Sequence, residues 1–236
     1  MKVIADYHTH TYYSDGHNSC RDMVARAKEL GLEEYAITDH GYATNLLGLS
    51  RRSRLRQKEK LLRLEDEFGI RVLKGIEANI LTWEGLLDLR EEEFEEFDIV
   101  QFGFHRPLNF WTTRQFFTFV VPNFSKKGQD IEKNTRALIN AMERYPLKIV
   151  SHPNNVLAVD TVEIAKAAVR LGIRFELNEK HWDDVVDTLK AVSDTGVGFI
   201  LGSDSHRASA VAQFPNVLRI IEEAGIPVDR IKGLSV

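Results

Sequence analysis

Residues 5–17 read "ADYHTHTYYSDGH", which places His8, His10 and His17 within ten positions, directly after a short apolar run. Neutral imidazole is the commonest protein ligand for zinc-like ions, so a cluster this dense points to metal chemistry. Ligand-type residues recur further along. His40 closes "ITDHG", Glu77 sits in "GIEAN", His105 in "GFHRP", His152 in "SHP", and Asp204 and His206 share "GSDSH". In strand geometry the His-x-His pair projects both rings to one side. The single cysteine, Cys20, excludes an internal disulfide and a thiolate cage, so the ligands must be nitrogen and oxygen. Nine candidates exceed the four ligands of one tetrahedral ion and call for two to three divalent metal ions. A donor set without sulfur suits Zn, Mn or Fe better than Mg or Ca.

The elements that must carry these residues alternate along the chain. Apolar runs at 2–7, 34–40, 71–79, 98–105, 148–153, 174–178 and 197–206 read as strands. Helical patterns at about 19–30, 51–67, 129–144, 160–171, 181–194 and 215–224 lie between and after them. This alternation predicts an α/β fold with a parallel sheet and helical crossovers, in one domain over 1–236. Seven of the eight histidines fall at or just beyond the carboxyl ends of those strands. In a closed barrel all such ends share one face, where barrel active sites are built. An open sheet gathers ligands at a single crevice. Ligands spread over six of seven strand ends therefore favour a closed, TIM-like barrel.

The chain's 236 residues suit one such barrel, and its net charge of −4 gives no basic field for nucleic acid or an anionic membrane. No run approaches the roughly 18 apolar residues of a membrane span. The start, "MKVIADYHTH", lacks the apolar core of a signal peptide, so a cytoplasmic location is expected. The basic run "RRSRLRQKEK" (51–60) reads as a solvated helix face with i,i+4 partners. The aromatic stretch within 109–127 suggests a substrate lid, a subunit contact that would build a homo-oligomer, or packing onto the barrel.

The ordered motifs "YHTH", "SDGH", "ITDHG", "GIEAN", "GFH", "SHP" and "GSDSH" resemble the polymerase and histidinol phosphatase (PHP) superfamily, and within it the YcdX-type phosphatases, over residues 3 to about 233. The resemblance implies a distorted (β/α)7 barrel with a trinuclear metal site at the C-terminal face of the strands. It implies that His8, His10, Glu77 and Asp204 hold one metal and that Glu77 bridges to a second, also held by His105 and His152. His17, His40 and His206 would hold the third. His181 matches no family ligand and is expected on a helix surface. The 109–127 segment is longer than its counterpart, and relatives carry a further helix after "IKGLSV".

Such a site suits a metal-dependent phosphoesterase acting on a small phosphorylated substrate. A metal-bound water falls in pKa from 15.7 to around 7, giving a hydroxide placed against bridging Glu77, with the third metal clamping phosphate oxygens. Glu77 and Asp204 are then catalytic through their metals, and Arg106 is a candidate bidentate phosphate contact. Asp39, Ser203 and Ser205 could orient ligands, and Asn178 could meet substrate. No residue stands out for protonating the leaving group. The alternatives are a phosphodiesterase or nuclease, an amidohydrolase, and a non-catalytic metal-binding module. "SDGH" and "ITDHG" supply ligands for an extra metal that an amidohydrolase does not need, and the full ligand set argues against lost chemistry.

Overall fold

The strands run β1 (Lys2–Val3), β2 (Ala5–Asp6), β3 (Glu34–Ile37), β4 (Arg71–Asn79), β5 (Ile99–Gly103), β6 (Ile149–Val150), β7 (Arg174–Asn178), β8 (Phe199–Gly202), β9 (Ile231–Lys232) and β10 (Leu234–Ser235). The structure, a computed structural model, describes all residues except 45–46, 107–111, 126, 182–185 and 236. Strands β2 to β9 form one parallel sheet in chain order, and β1 pairs antiparallel with β10. Beyond β2 the sheet closes on β8. Tyr7 N–H donates to Leu201 O at 3.0 Å, His10 N–H to Ser205 O at 2.8 Å, and Thr9 bridges Ser205 in parallel. At the opposite rim β9 fills the seam, pairing Ile231 with Phe199 while Gly233 O accepts from Ile4 N–H at 2.8 Å. The ligand-bearing rim is thus seven-stranded, as the alternation predicts. The eighth strand is a two-residue wedge, too short to show a period.

Alternation along each strand divides the core. Ala5, Tyr7, Ala36, Leu73, Ile99, Ile149 and Ile200 form one buried cluster, which fills the barrel interior below the site. The intervening Tyr35, Ile37 and Val72 pack instead with Met23, Val24 and Ala27 of α1 (Cys20–Glu29) and Leu61 and Leu64 of α2 (Arg51–Phe68). Capping explains the helix bounds. Ser19 and Asp22 form a reciprocal capping box on α1, and Gly69 ends α2 in a left-handed conformation at φ +57°. Helices α4 (Ile131–Arg144), α5 (Thr161–Leu171), α6 (Val186–Asp194) and α7 (Pro215–Ala224) follow α3, the three-residue Thr113–Gln115.

One expectation changes, and one of three open readings gains support. The run 51–60 is only partly solvated: Arg54 and Gln57 are buried, on one stripe with Leu61 and Leu64. Arg54 pairs with Glu93 at 3.3 Å and Glu96 at 3.1 Å rather than along its own helix. In the aromatic segment, Phe119 is buried edge-on to Trp83 and Phe104, and Trp83 Nε1 donates to Thr118 O at 2.7 Å. Phe117 and Phe124 stay exposed. The segment thus packs onto the barrel through one face; its residues 109–111 and 126 lie outside the described ones.

Candidate metal centre

Glu77 lies at the centre of the histidines. Its Oε1 is 2.9 Å from His152 Nε2 and 3.0 Å from His105 Nε2. Its Oε2 is 3.0 Å from His40 Nδ1, 3.2 Å from His8 Nε2 and 3.6 Å from His10 Nε2. Asp204 Oδ1 reaches His10 Nε2 at 3.4 Å. β4 sets Glu77 between neighbours, since His40 and Glu77 themselves form a parallel bridge beyond β3. His152 and Asp204 hold positive φ, +25° and +51°, conformations that non-glycine residues keep where surroundings impose them and that cluster at functional sites.

Among the described residues, donor atoms gather in four overlapping groups: His10, Asp15, His40 and His206; His8, His152 and Asp204; His8, His10 and Glu77; His40, Glu77 and His105. Within them, His10 Nδ1, His40 Nδ1 and Glu77 Oε2 are buried without hydrogen-bond partners. Buried polar atoms that approach one another without bonding are what lone pairs converging on a cation require. The donor set therefore fits divalent metal ions.

The electrostatics agree. Burial pushes His10 down to about 3 and His105 down to about 4, leaving neutral imidazoles able to donate lone pairs. Burial opposes charge at His40 too, but the carboxylates of Asp15 and Glu77 close to its ring outweigh it and raise its pKa to about 10. Against its own burial, Glu77 is held well below the usual carboxylate range by His105 and His8, and Asp204 likewise by His8 and His10.

One expected ligand sits elsewhere. The structure turns His17 to solvent and places Asp15 instead beside His40 and His206, 3.1 Å from His206 Nε2 and 3.5 Å from His40 Nε2. A tight turn is the cause. Ser14 and Gly16 N–H both donate to Thr11 O, at 2.9 and 3.0 Å, and His17 N–H is tied to His206 O at 2.7 Å. Gly16 lies against the His10 backbone so closely that a side chain there would overlap it. Asp15 points inward and His17 outward.

Arg106 is exposed; its guanidinium donates to the Phe124 carbonyl and lies 5.8 Å from that ring, so it serves the aromatic segment and not the ligand cluster. Asp39 accepts from Thr11, Ser14 and Gln57, which braces the first loop against α2 instead of orienting His40. Ser203 N–H donates to Asp6 at 3.0 Å and Ser205 N–H to Ser203 Oγ at 3.2 Å, securing the end of β8. Asn178 Oδ1 accepts from Lys180 N–H at 2.9 Å, and its amide reaches Asp204 at 3.5 Å.

Sequence reasoning missed four residues besides. His181, expected on a helix, sits in the loop after β7 with Nε2 3.3 Å from Asp204 Oδ2 and its ring edge-on to His152. Lys180 Nζ lies 3.2 Å from Asp204 Oδ1 and 2.7 Å from His206 Nδ1. Asn79 Oδ1 lies 2.8 Å from His105 Nδ1, and Glu176 Oε1 lies 2.6 Å from His8 Nδ1. The available signal was "ELNEKH", a polar run closing the one predicted strand without a ligand.

A TIM-like barrel with an all-N/O donor cluster at its strand ends defines the class. The PHP domain model matches residues 6–224, so the chain belongs to the PHP domain family. It is similar to a protein of Shewanella sediminis named "Probable phosphatase", 34% identical over 245 residues covering 100% of this chain and 91% of that one. A protein of Tolumonas auensis with the same name is 32% identical, covering 100% of this chain and 91% of that one. Among solved structures, histidinol phosphate phosphatase from Lactococcus lactis, complexed with zinc, L-histidinol and phosphate, superposes with a TM-score of 0.67. It shares 21% identity over 96% of this chain and 95% of that one, a likeness of fold.

Proposed function

We propose that this chain is a metal-dependent phosphatase that hydrolyses a small phosphate monoester at a trinuclear centre. The observation that carries the reading is Glu77, whose two carboxylate oxygens are ringed by five imidazole nitrogens at 2.9–3.6 Å. Glu77, His8, His10 and Asp204 would hold one ion, Glu77, His105 and His152 a second, and Asp15, His40 and His206 a third. When bound, divalent ions offset phosphoryl charge and lower the pKa of water to around 7. His10 and His105, kept neutral by burial, present lone pairs without first losing a proton. Lys180 at the rim offers an ammonium to phosphoryl oxygens once Asp204 and His206 are otherwise engaged, and His181 lines the same side.

Membership of the PHP family and the phosphatase names of its relatives support hydrolysis of phosphate esters. The small-ester part of the reading is supported by the L-histidinol and phosphate bound to the Lactococcus protein. A nucleic-acid substrate would want a basic groove. The net charge is −4, and Arg51 and Arg54 of the basic run are paired with Glu93. The test compares a chromogenic phosphate monoester with the matching diester on the manganese- or zinc-loaded protein. Faster phosphate release from the monoester is expected; preference for the diester would move the reading to phosphodiesterase.

A further inference from the structure

β7 supplies none of the expected ligands, yet its central residue, Glu176, is 1% exposed and lies against the metal centre. A buried carboxylate is costly unless both oxygens are satisfied. Here both are. Oε1 lies 2.6 Å from His8 Nδ1, and Oε2 accepts the His152 backbone N–H at 2.7 Å. His8 follows β2 and His152 follows β6, so one side chain ties together ligands from two separate strands. Their rings stack with centroids 5.7 Å apart. The neighbouring strand is cut away to make room, since a side chain at Gly202 of β8 would overlap Glu176 Oε1.

We propose that Glu176 is a positioning residue that fixes the tautomer of His8 and the backbone of His152, and so supports the two neighbouring ions that these histidines share with Glu77. A carboxylate oxygen only accepts, so His8 keeps a proton on Nδ1, and the neutral ring that would bind an ion has its lone pair on Nε2, which faces inward 3.2 Å from Glu77. On the other side, the bond to His152 N–H secures a residue whose φ of +25° places it in a region that L-residues rarely adopt. That backbone sets His152 Nε2 at 2.9 Å from Glu77 Oε1. One carboxylate therefore aims two imidazoles at the two oxygens of another. An amide cannot replace it. The oxygen of a glutamine accepts from His8 or from His152, and its NH₂ confronts the other N–H or forces His8 into the opposite tautomer.

The inference rests on the metal-centre reading and does not depend on the substrate. Its test is calorimetric titration of the metal-free protein with Co²⁺, followed also by the ion's visible absorption, for wild type, Glu176→Gln and Glu176→Asp. Both variants are expected to bind the two ions held by His8 and His152 roughly 10–100-fold more weakly, the usual effect of removing a ligand's hydrogen-bond partner. The third ion, on Asp15, His40 and His206, keeps wild-type affinity, and the metal-free melting temperature stays near wild type. A Glu176→Gln protein that binds every ion with wild-type affinity and spectrum would overturn the inference, as would one that has lost its fold without metal. A wild-type chain that binds no divalent ion would sink the metal-centre reading itself, and this inference with it.

Discussion

Asp15 Oδ2 lies 3.1 Å from His206 Nε2, although the histidine two positions further on is the more conventional ligand. The turn closed on Thr11 O decides between them by facing Asp15 inward. Replacing Asp15 with Asn is therefore expected to remove one ion and lower turnover by at least roughly 100-fold, beyond the ~10–100-fold typical of a ligand's supporting residue. His17→Ala should stay close to wild type. Metal analysis alongside kcat for both variants checks this; the reverse ranking would restore His17 as the ligand.

Metal affinity should depend on pH through His8, which Glu77 and Glu176 raise well above the ordinary value against its burial, and through His40. In the metal-free protein the His40 pKa is raised to about 10, so at neutral pH it holds a proton that an ion must displace. Apparent affinity is expected to climb as pH rises from 6.5 towards 10, with proton release seen by calorimetry in buffers of different ionisation enthalpy. His10 and His105, held at about 3 and about 4, release none. The sign for the metal-free fold is opposite. A raised pKa contributes stability in full below 6.5 and loses it as pH passes about 10, so chelated protein should melt lower in alkali.

Gly202 gives a packing test independent of activity. Alanine there would meet both Glu176 Oε1 and His8 Cβ. With the His8 Cβ on one side and a buried carboxylate on the other, overpacking should cost about 1–3 kcal/mol. Thermal denaturation of Gly202→Ala without metal measures it. An unchanged melting temperature would mean the strands can part.

Lys180 is half exposed, so its contribution to substrate should be modest. Lys180→Ala is expected to raise KM for the monoester roughly 10-fold, the lower end for a hydrogen bond to a charged group. The surface pair Lys166–Glu163 serves as control, and Lys166→Ala should change nothing. Equal KM values for both variants would remove Lys180 from the phosphate.

Much of this was legible in the chain because a parallel barrel converts position along a strand into position in space. His8, His40, Glu77, His105, His152 and Asp204 each lie close to the carboxyl end of a strand, so closure alone brings them together. What stayed hidden depends on direction and not on position. Whether Asp15 or His17 faces inward is decided by backbone bonds to Thr11 and His206 that no spacing reveals. Glu176 looks like any polar residue in a strand until His8 and His152 arrive on either side of it. Arg106 follows a ligand in the chain yet turns its guanidinium to Phe124. Strand β9, two residues long, has no period to read.

The most direct test of the central claim strips the protein with chelator and follows phosphate release from a chromogenic monoester as Mn²⁺ or Zn²⁺ is returned in measured equivalents. Activity should be absent without metal and should rise to a plateau at two to three ions per chain. Undiminished release from protein shown to be metal-free would contradict it, because the imidazoles around Glu77 would then serve some other chemistry.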